Sequence, residues 1–201
     1  MDNINWKFSK KYGKHWIKVK FYKKRPELKE GKSIEGVRFC EALRKAVEYP
    51  LIIDKGSISC KGAQYVLGWD PLAKEEILAN CKEKTSAGVK KLRSILSTQS
   101  VFKEPYKYIG LNTEGEPDLL ISFSAPEEVH NLINTYNSVK GSGLNTSLSG
   151  MLSVCGGVVA NSYLKNKISL SFGCDDSRKY AQMSRDTLVV GIPNSLFGVF
   201  V

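Results

Sequence analysis

The chain reads as an α/β protein: one compact domain, residues 1–201, of two pseudo-symmetric halves with helices on a mixed sheet, an α+β layout being the close alternative. The first observation behind this is an internal echo. Cys40 and Cys60 bracket nineteen residues and Cys155 and Cys174 bracket eighteen, each pair spanning a helix-like run and a strand-like run before a second helix-like run. The second is that an apolar strand stopped by proline follows each pair, Asp118-Leu-Leu-Ile-Ser-Phe-Ser-Ala-Pro126 and Asp186-Thr-Leu-Val-Val-Gly-Ile-Pro193. The third is size: 201 residues with 42% hydrophobic and 25% charged content suffice for one core that buries roughly 70% of the unfolded chain's surface. The first pseudo-repeat is placed at 36–136 with a helical insertion at 70–104, the second at 144–201.

Taken in order, Trp16-Ile-Lys-Val-Lys-Phe-Tyr22 alternates apolar and basic residues and predicts a half-buried edge strand with Lys18 and Lys20 on its wet face. Residues 23–31 carry Pro26 and Gly31 without apolar periodicity and predict a solvated loop. Gly36–Glu48 sets Val37, Cys40, Leu43 and Val47 at helical spacing, which turns Cys40 inward. Leu51–Ile53 and Ile58–Cys60 predict a short strand pair around Asp54-Lys-Gly56. Lys61–Gly68 and Trp69–Cys81 read as helices, and Val89, Leu92, Ile95 and Leu96 form the stripe of another.

Tyr106–Leu111 and Leu119–Phe123 predict strands, and Pro126–Tyr136 a helix with proline in its first turn and acids near its N-terminus. Leu148–Val159 is helical in pattern, but three glycines weaken it by about 1 kcal/mol each and suggest close approach of another group. Ile168–Phe172 and Leu188–Ile192 are the remaining strands. Asp175–Tyr180 starts a helix, and Ser195–Val201 closes the chain as an apolar helix or strand.

Of the net charge of +10, +8 lies in residues 1–32, where eleven Lys/Arg face three Asp/Glu. The aromatic residues interleaved there, Trp6, Phe8, Tyr12, Trp16, Phe21 and Tyr22, are the stacking candidates of a nucleic-acid surface. No reader motif accompanies them, so solvated lysine around an apolar strand is preferred and nucleic acid is not the expected partner. No apolar run reaches the roughly 18 residues of a membrane span, and Met1-Asp-Asn-Ile-Asn lacks a signal-peptide pattern, which predicts a cytosolic protein with no membrane partner. A protein partner or a homo-oligomer stays open.

The chemistry rests on cysteine. Cys60 and Cys174 each end a strand and precede a helix, where unsatisfied N–H groups and the helix dipole favour thiolate. Cys40 and Cys155 offer a second sulfur per half, and four thiolates suit zinc or an iron–sulfur cluster. The plain alternative is packing of small apolar residues, the reading also given to the unmirrored Cys81. Arg178, four residues past Cys174, is a candidate anion anchor, or else a salt-bridge partner of Asp175 or Asp176. His15 and His130 stand in no metal-ligand spacing. The phosphate-loop, dinucleotide, nucleophile-elbow and His-Glu-x-x-His signatures are absent from the sequence. Three functions follow: a metal- or cluster-binding protein, a thiol-dependent enzyme using Cys174 with Arg178, or a binding module without chemistry.

At Val37-Arg-Phe-Cys40 with Ala46, Ser59-Cys60-Lys-Gly-Ala63 with Leu67-Gly68, Ser149-Gly150 with Cys155, Ser171-Phe-Gly-Cys-Asp-Asp-Ser-Arg178 and Val190-Gly-Ile-Pro193, the chain resembles the family called domain of unknown function 169. That family is an archaeal and bacterial group without an established activity, and the resemblance covers about residues 16–198. It implies that Cys40, Cys60, Cys155 and Cys174 fall on family motif positions while Cys81 does not. Because family members are common in anaerobes rich in iron–sulfur enzymes, it also raises the expectation of a cluster. The N-terminus here is more lysine-rich than the family's usual one.

Overall fold

A computed structural model describes residues 4–12, 16–27, 31–84 and 88–200, with side chains given from residue 7 onward and omitted for 82–84. His15 lies outside the described residues. Six strands form one sheet: β1 (Trp16–Tyr22), β2 (Leu51–Ile53), β3 (Tyr108–Leu111), β4 (Leu119–Ser124), β5 (Ser169–Ser171) and β6 (Leu188–Pro193), in the order β2-β3-β1-β4-β6-β5. Every pairing between these strands is antiparallel. The fold is thus helices on a sheet, as expected, but the sheet is antiparallel where a mixed one was predicted. Among the described residues, parallel partnership is confined to the isolated bridges Lys32–Leu51 and Val37–Ile58. The second of these replaces the predicted hairpin: β2 turns away to pair with β3, and Asp54 accepts from the Ser57 backbone N–H and hydroxyl, each at 3.1 Å, to close the turn.

Strand β1 is central rather than at an edge, flanked by β3 and β4. Its alternation does what a period of two requires. Ile17, Val19 and Phe21 enter one core with Leu51, Ile53, Leu111, Ile121 and Val189, while Trp16 enters a second core on the opposite face. Lys20 sends its ammonium to the Glu116 carbonyl at 2.7 Å, and burial pushes the Lys18 pKa down, so these lysines are less wet than their pattern implied.

The first face is covered by α2 (Phe39–Lys45), α3 (Lys61–Val66), a π-helix (Ser153–Ala160) that runs into α7 (Asn161–Lys165), and α8 (Asp175–Tyr180). The second face is covered by α1 (Ile4–Tyr12), α6 (Pro126–Lys140) and a closing 3-10 helix (Asn194–Val199). Helices α4 (Ala73–Lys84) and α5 (Val89–Ser97) occupy the predicted insertion and bury Ile77, Leu78, Leu92 and Leu96 in a small core of their own, with Cys81 packed against it. Ile95, placed on the stripe by its spacing, is 38% exposed.

The predicted helix at 148–159 starts later and is a π-helix, entered through Leu152 at φ 50°. Gly156 explains part of this. A Cβ there would stand 3.1 Å from the Gln99 side chain and 3.3 Å from Val66, so the backbone lies against α3 and the insertion. Helix α3 ends at Gly68, φ 72°, where a Cβ would meet the Phe102 carbonyl oxygen at 2.5 Å. Since both the left-handed backbone and the carbonyl exclude a side chain, Gly68→Ala is expected to cost at least about 2 kcal/mol, read as a fall in the urea midpoint at unchanged m-value.

Candidate functional site: a cysteine quartet

Each of the four mirrored cysteines sits where a helix meets the first core. Cys40 is the second residue of α2, and Cys155 lies in the π-helix; both are buried. Cys60 and Cys174 are the residues that cap α3 and α8, and both are half-buried. At Cys174 the cap is closed by Ser177, whose hydroxyl accepts from the Cys174 N–H at 2.7 Å and donates to its carbonyl at 2.8 Å. Since α2 packs on α8 and on the π-helix, and α3 on the π-helix, these elements share one junction.

The sulfurs feel one another there. Burial pushes the Cys155 thiol well above its ordinary value, and Cys60, Cys174 and Cys40 add to it in that order. Burial raises Cys40 to about 12, with Cys174 and Cys60 again contributing. At Cys60 burial is also the largest influence and raises the thiol, with Asp176 and Cys174 pushing the same way; the Ala63 N–H and the Arg38 charge oppose it. The cap position that was expected to favour thiolate at Cys60 is therefore present, but the dipole of a six-residue helix loses to desolvation of the sulfur. The free thiols Cys40, Cys60 and Cys155 are protonated at neutral pH. Cys155 accordingly donates to the Leu152 carbonyl at 3.7 Å.

The donor chemistry of four sulfurs fits a soft metal. Among the described residues, however, no group of three or more His, Cys, Asp or Glu side chains is already placed to hold a metal ion. The thiols are gathered without being closed around a centre.

Arg178 is placed on α8, where its guanidinium donates to the Ser184 carbonyl at 3.2 Å. The arginine beside the thiols is a different one. Arg38 caps α2, its Nη2 stands 3.8 Å from the Asp176 carboxylate of α8, and its guanidinium lies 4.9 Å from the centre of the Tyr180 ring. Arg38, Asp176 and Tyr180 were not picked out from sequence as one group. The available hint was spacing alone: Arg38 is two residues before Cys40 and Asp176 two residues after Cys174.

The remaining candidates resolve into packing or surface. Phe8, Tyr12, Trp16 and Phe21 are buried in the two cores, so they are not presented for base stacking; the Trp6 side chain lies outside the described set. His130 is exposed on α6, with Nε2 2.9 Å from the Asn134 amide nitrogen. No described helix is long and apolar enough to cross a membrane.

Comparison with known proteins agrees with the motif reading. An uncharacterised protein of Methanocaldococcus jannaschii, MJ0308, is 28% identical over 197 residues, covering 90% of this chain and 82% of that protein. No solved structure matches the chain. The profile of the family described as DUF169, uncharacterised ArCR, matches residues 13–201 and so spans both cysteine pairs and the sheet between them; the chain belongs to that family.

Proposed function

We propose that this protein binds a thiophilic metal ion or an iron–sulfur cluster through Cys40, Cys60, Cys155 and Cys174. One observation carries the reading. The four mirrored cysteines, which the sequence spreads over more than half the chain, lie at one helix junction within electrostatic reach of one another. Raised thiols also argue against an attacking nucleophile at Cys40, Cys60 or Cys155, because only the thiolate attacks. A metal resolves the same difficulty differently: each sulfur loses its proton to solvent as its bond to the metal forms. The reading requires the four sulfurs, which among the described residues form no ready metal site, to converge when the metal binds. The π-helix supports this, since such turns are frequent at functional sites.

The reading extends to the architecture. The strand order is palindromic in chain order: exchanging β1 with β4, β2 with β5 and β3 with β6 returns the same sheet with every direction reversed. We read the chain as two copies of a strand–helix–strand–helix–strand unit about an axis between β1 and β4. Helix α6 is then specific to the second copy and α4 and α5 to the first. This pairing differs from the likeness of the two proline-stopped strands, β4 and β6, which are neighbours in the centre of the sheet and resemble each other through shared burial.

The test is the iron, sulfide and zinc content of protein purified without oxygen, compared with a Cys60→Ser, Cys174→Ser double variant. About one metal site per chain in the wild type, lost in the variant, is the expected result. A wild type without iron or zinc that also takes up no added cobalt(II) overturns the reading.

A further inference from the structure

The segment that leads into α2 is tied to the β2 segment twice and leaves it in between. Lys32 donates its N–H to the Pro50 carbonyl at 3.0 Å and accepts from the Ile52 N–H at 3.1 Å. Further on, Val37 donates to the Ser57 carbonyl at 3.2 Å and accepts from the Ser59 N–H at 2.9 Å. Between these ties the second path is taken up by the turn that Asp54 closes on Ser57. A cavity of about 490 Å³ opens there, lined by Ile34, Glu35, Ile52 and Asp54 from the two paths and by Arg25 and Tyr108. None of the four cysteines lines it. The alternation of β2 supplies its apolar side: Leu51 and Ile53 enter the first core, so Ile52 between them points to the other face of the sheet. At the opposite edge Leu170, the middle residue of β5, packs against the second core with Val129 and Leu132 of α6, whereas Ile52 faces the cavity.

We infer that this cavity binds a small zwitterion, a free α-amino acid or a short peptide with an apolar side chain, its carboxylate on Arg25 and its ammonium on Glu35. The charges select the ligand. Arg25 and Glu35 are exposed and opposite in sign, yet among the described residues neither has an ion-pair partner, so they line one space without pairing across it. A purely anionic ligand would meet Glu35 and Asp54, and a purely cationic one would meet Arg25. A molecule with both charges satisfies both ends, and the planar fork of a guanidinium matches a carboxylate. Ile34, Ile52 and the Tyr108 ring offer the apolar wall for the body between them. The volume lies within the range of about 300–1,000 Å³ usual for small-molecule sites. Because the backbone ties at Lys32 and Val37 hold one wall at both ends, little of it has to be ordered when the ligand enters.

Isothermal titration calorimetry with leucine and with leucylleucine tests this, each run beside its N-acetyl derivative and its C-terminal amide. At least one of the two parent compounds is expected to bind, and both of its capped forms to bind roughly 10–100-fold more weakly, the usual effect of losing a hydrogen bond to a charged group. Tighter binding of leucine identifies a free amino acid as the occupant, and tighter binding of leucylleucine a peptide. Arg25→Gln is expected to lose the preference for the parent over its amide while keeping the preference over the N-acetyl form, and Glu35→Gln to do the reverse. Both side chains are exposed, so each variant is expected to unfold at the wild-type temperature, which separates a loss of binding from a loss of fold. The inference is overturned if neither leucine nor leucylleucine binds, if the capped forms bind as tightly as their parents, or if either variant discriminates among the four forms as wild type does.

Discussion

Raising the pH from about 9 to about 12 is expected to remove on the order of 4 kcal/mol of stability from the metal-free protein through Cys40 alone. The thiol has an ordinary value of 9.0 and is held at about 12 in the folded chain, chiefly by burial. Below pH 9 both folded and unfolded chains keep the proton, and the stabilising effect of burying a neutral thiol is fully present. Between 9 and 12 the unfolded chain releases its proton while the folded chain retains it, so stability falls steadily through that window. Urea unfolding of wild type and Cys40→Ala at pH 8, 9, 10 and 11 isolates the effect from lysine and tyrosine titration common to both. A wild type whose stability falls no faster than that of the variant would show that Cys40 is not held protonated.

Phe8→Ala is expected to cost about 3–5 kcal/mol, measured as the shift in urea midpoint. Phe8 is 1% exposed, and its ring centre stands 5.0 Å from that of Trp16, 5.6 Å from Phe200 and 5.8 Å from Tyr12 and Phe197. It thus joins the first helix, the start of β1 and the closing 3-10 helix, the two ends of the chain on one face of the sheet. Lys11 reinforces the join by donating to the Phe200 carbonyl at 3.1 Å. A cost below about 1 kcal/mol would mean that α1 is only loosely docked. Of the rings considered for stacking at the basic N-terminus, Phe8, Tyr12 and Trp16 are committed to this cluster and are not presented to a base.

Local patterns were legible where burial is complete or where it is confined to one face. β4 is buried along its whole length, and α6 opens on Pro126 with the Glu128 carboxylate accepting from the Ala125 N–H at 2.9 Å, as proline and early acids predict. α5 was readable from Leu92 and Leu96. α1 was not, since its short run mixes lysines with aromatic residues that pack on the far end of the chain. The π-helix was seen only as a helix weakened by glycine; its form depends on how closely Gly156 meets Val66 and Gln99, which are distant in sequence. Ile58 reads as a strand residue, yet it meets Val37 rather than β2, and no periodicity distinguishes one partner from another.

The sequence by itself determined that this is a chain of helices and apolar strands with cysteines at matched stations, because side-chain period and Cys spacing are properties of the chain alone. Only the tertiary structure decided that the sheet is antiparallel, that the elements carrying the four cysteines pack at one junction, and that desolvation overrides the helix cap at Cys60. It also decided that the arginine beside them is Arg38. Each of these depends on which surfaces face one another after the chain closes, and the electrostatics of a buried sulfur is set by those neighbours rather than by its own segment.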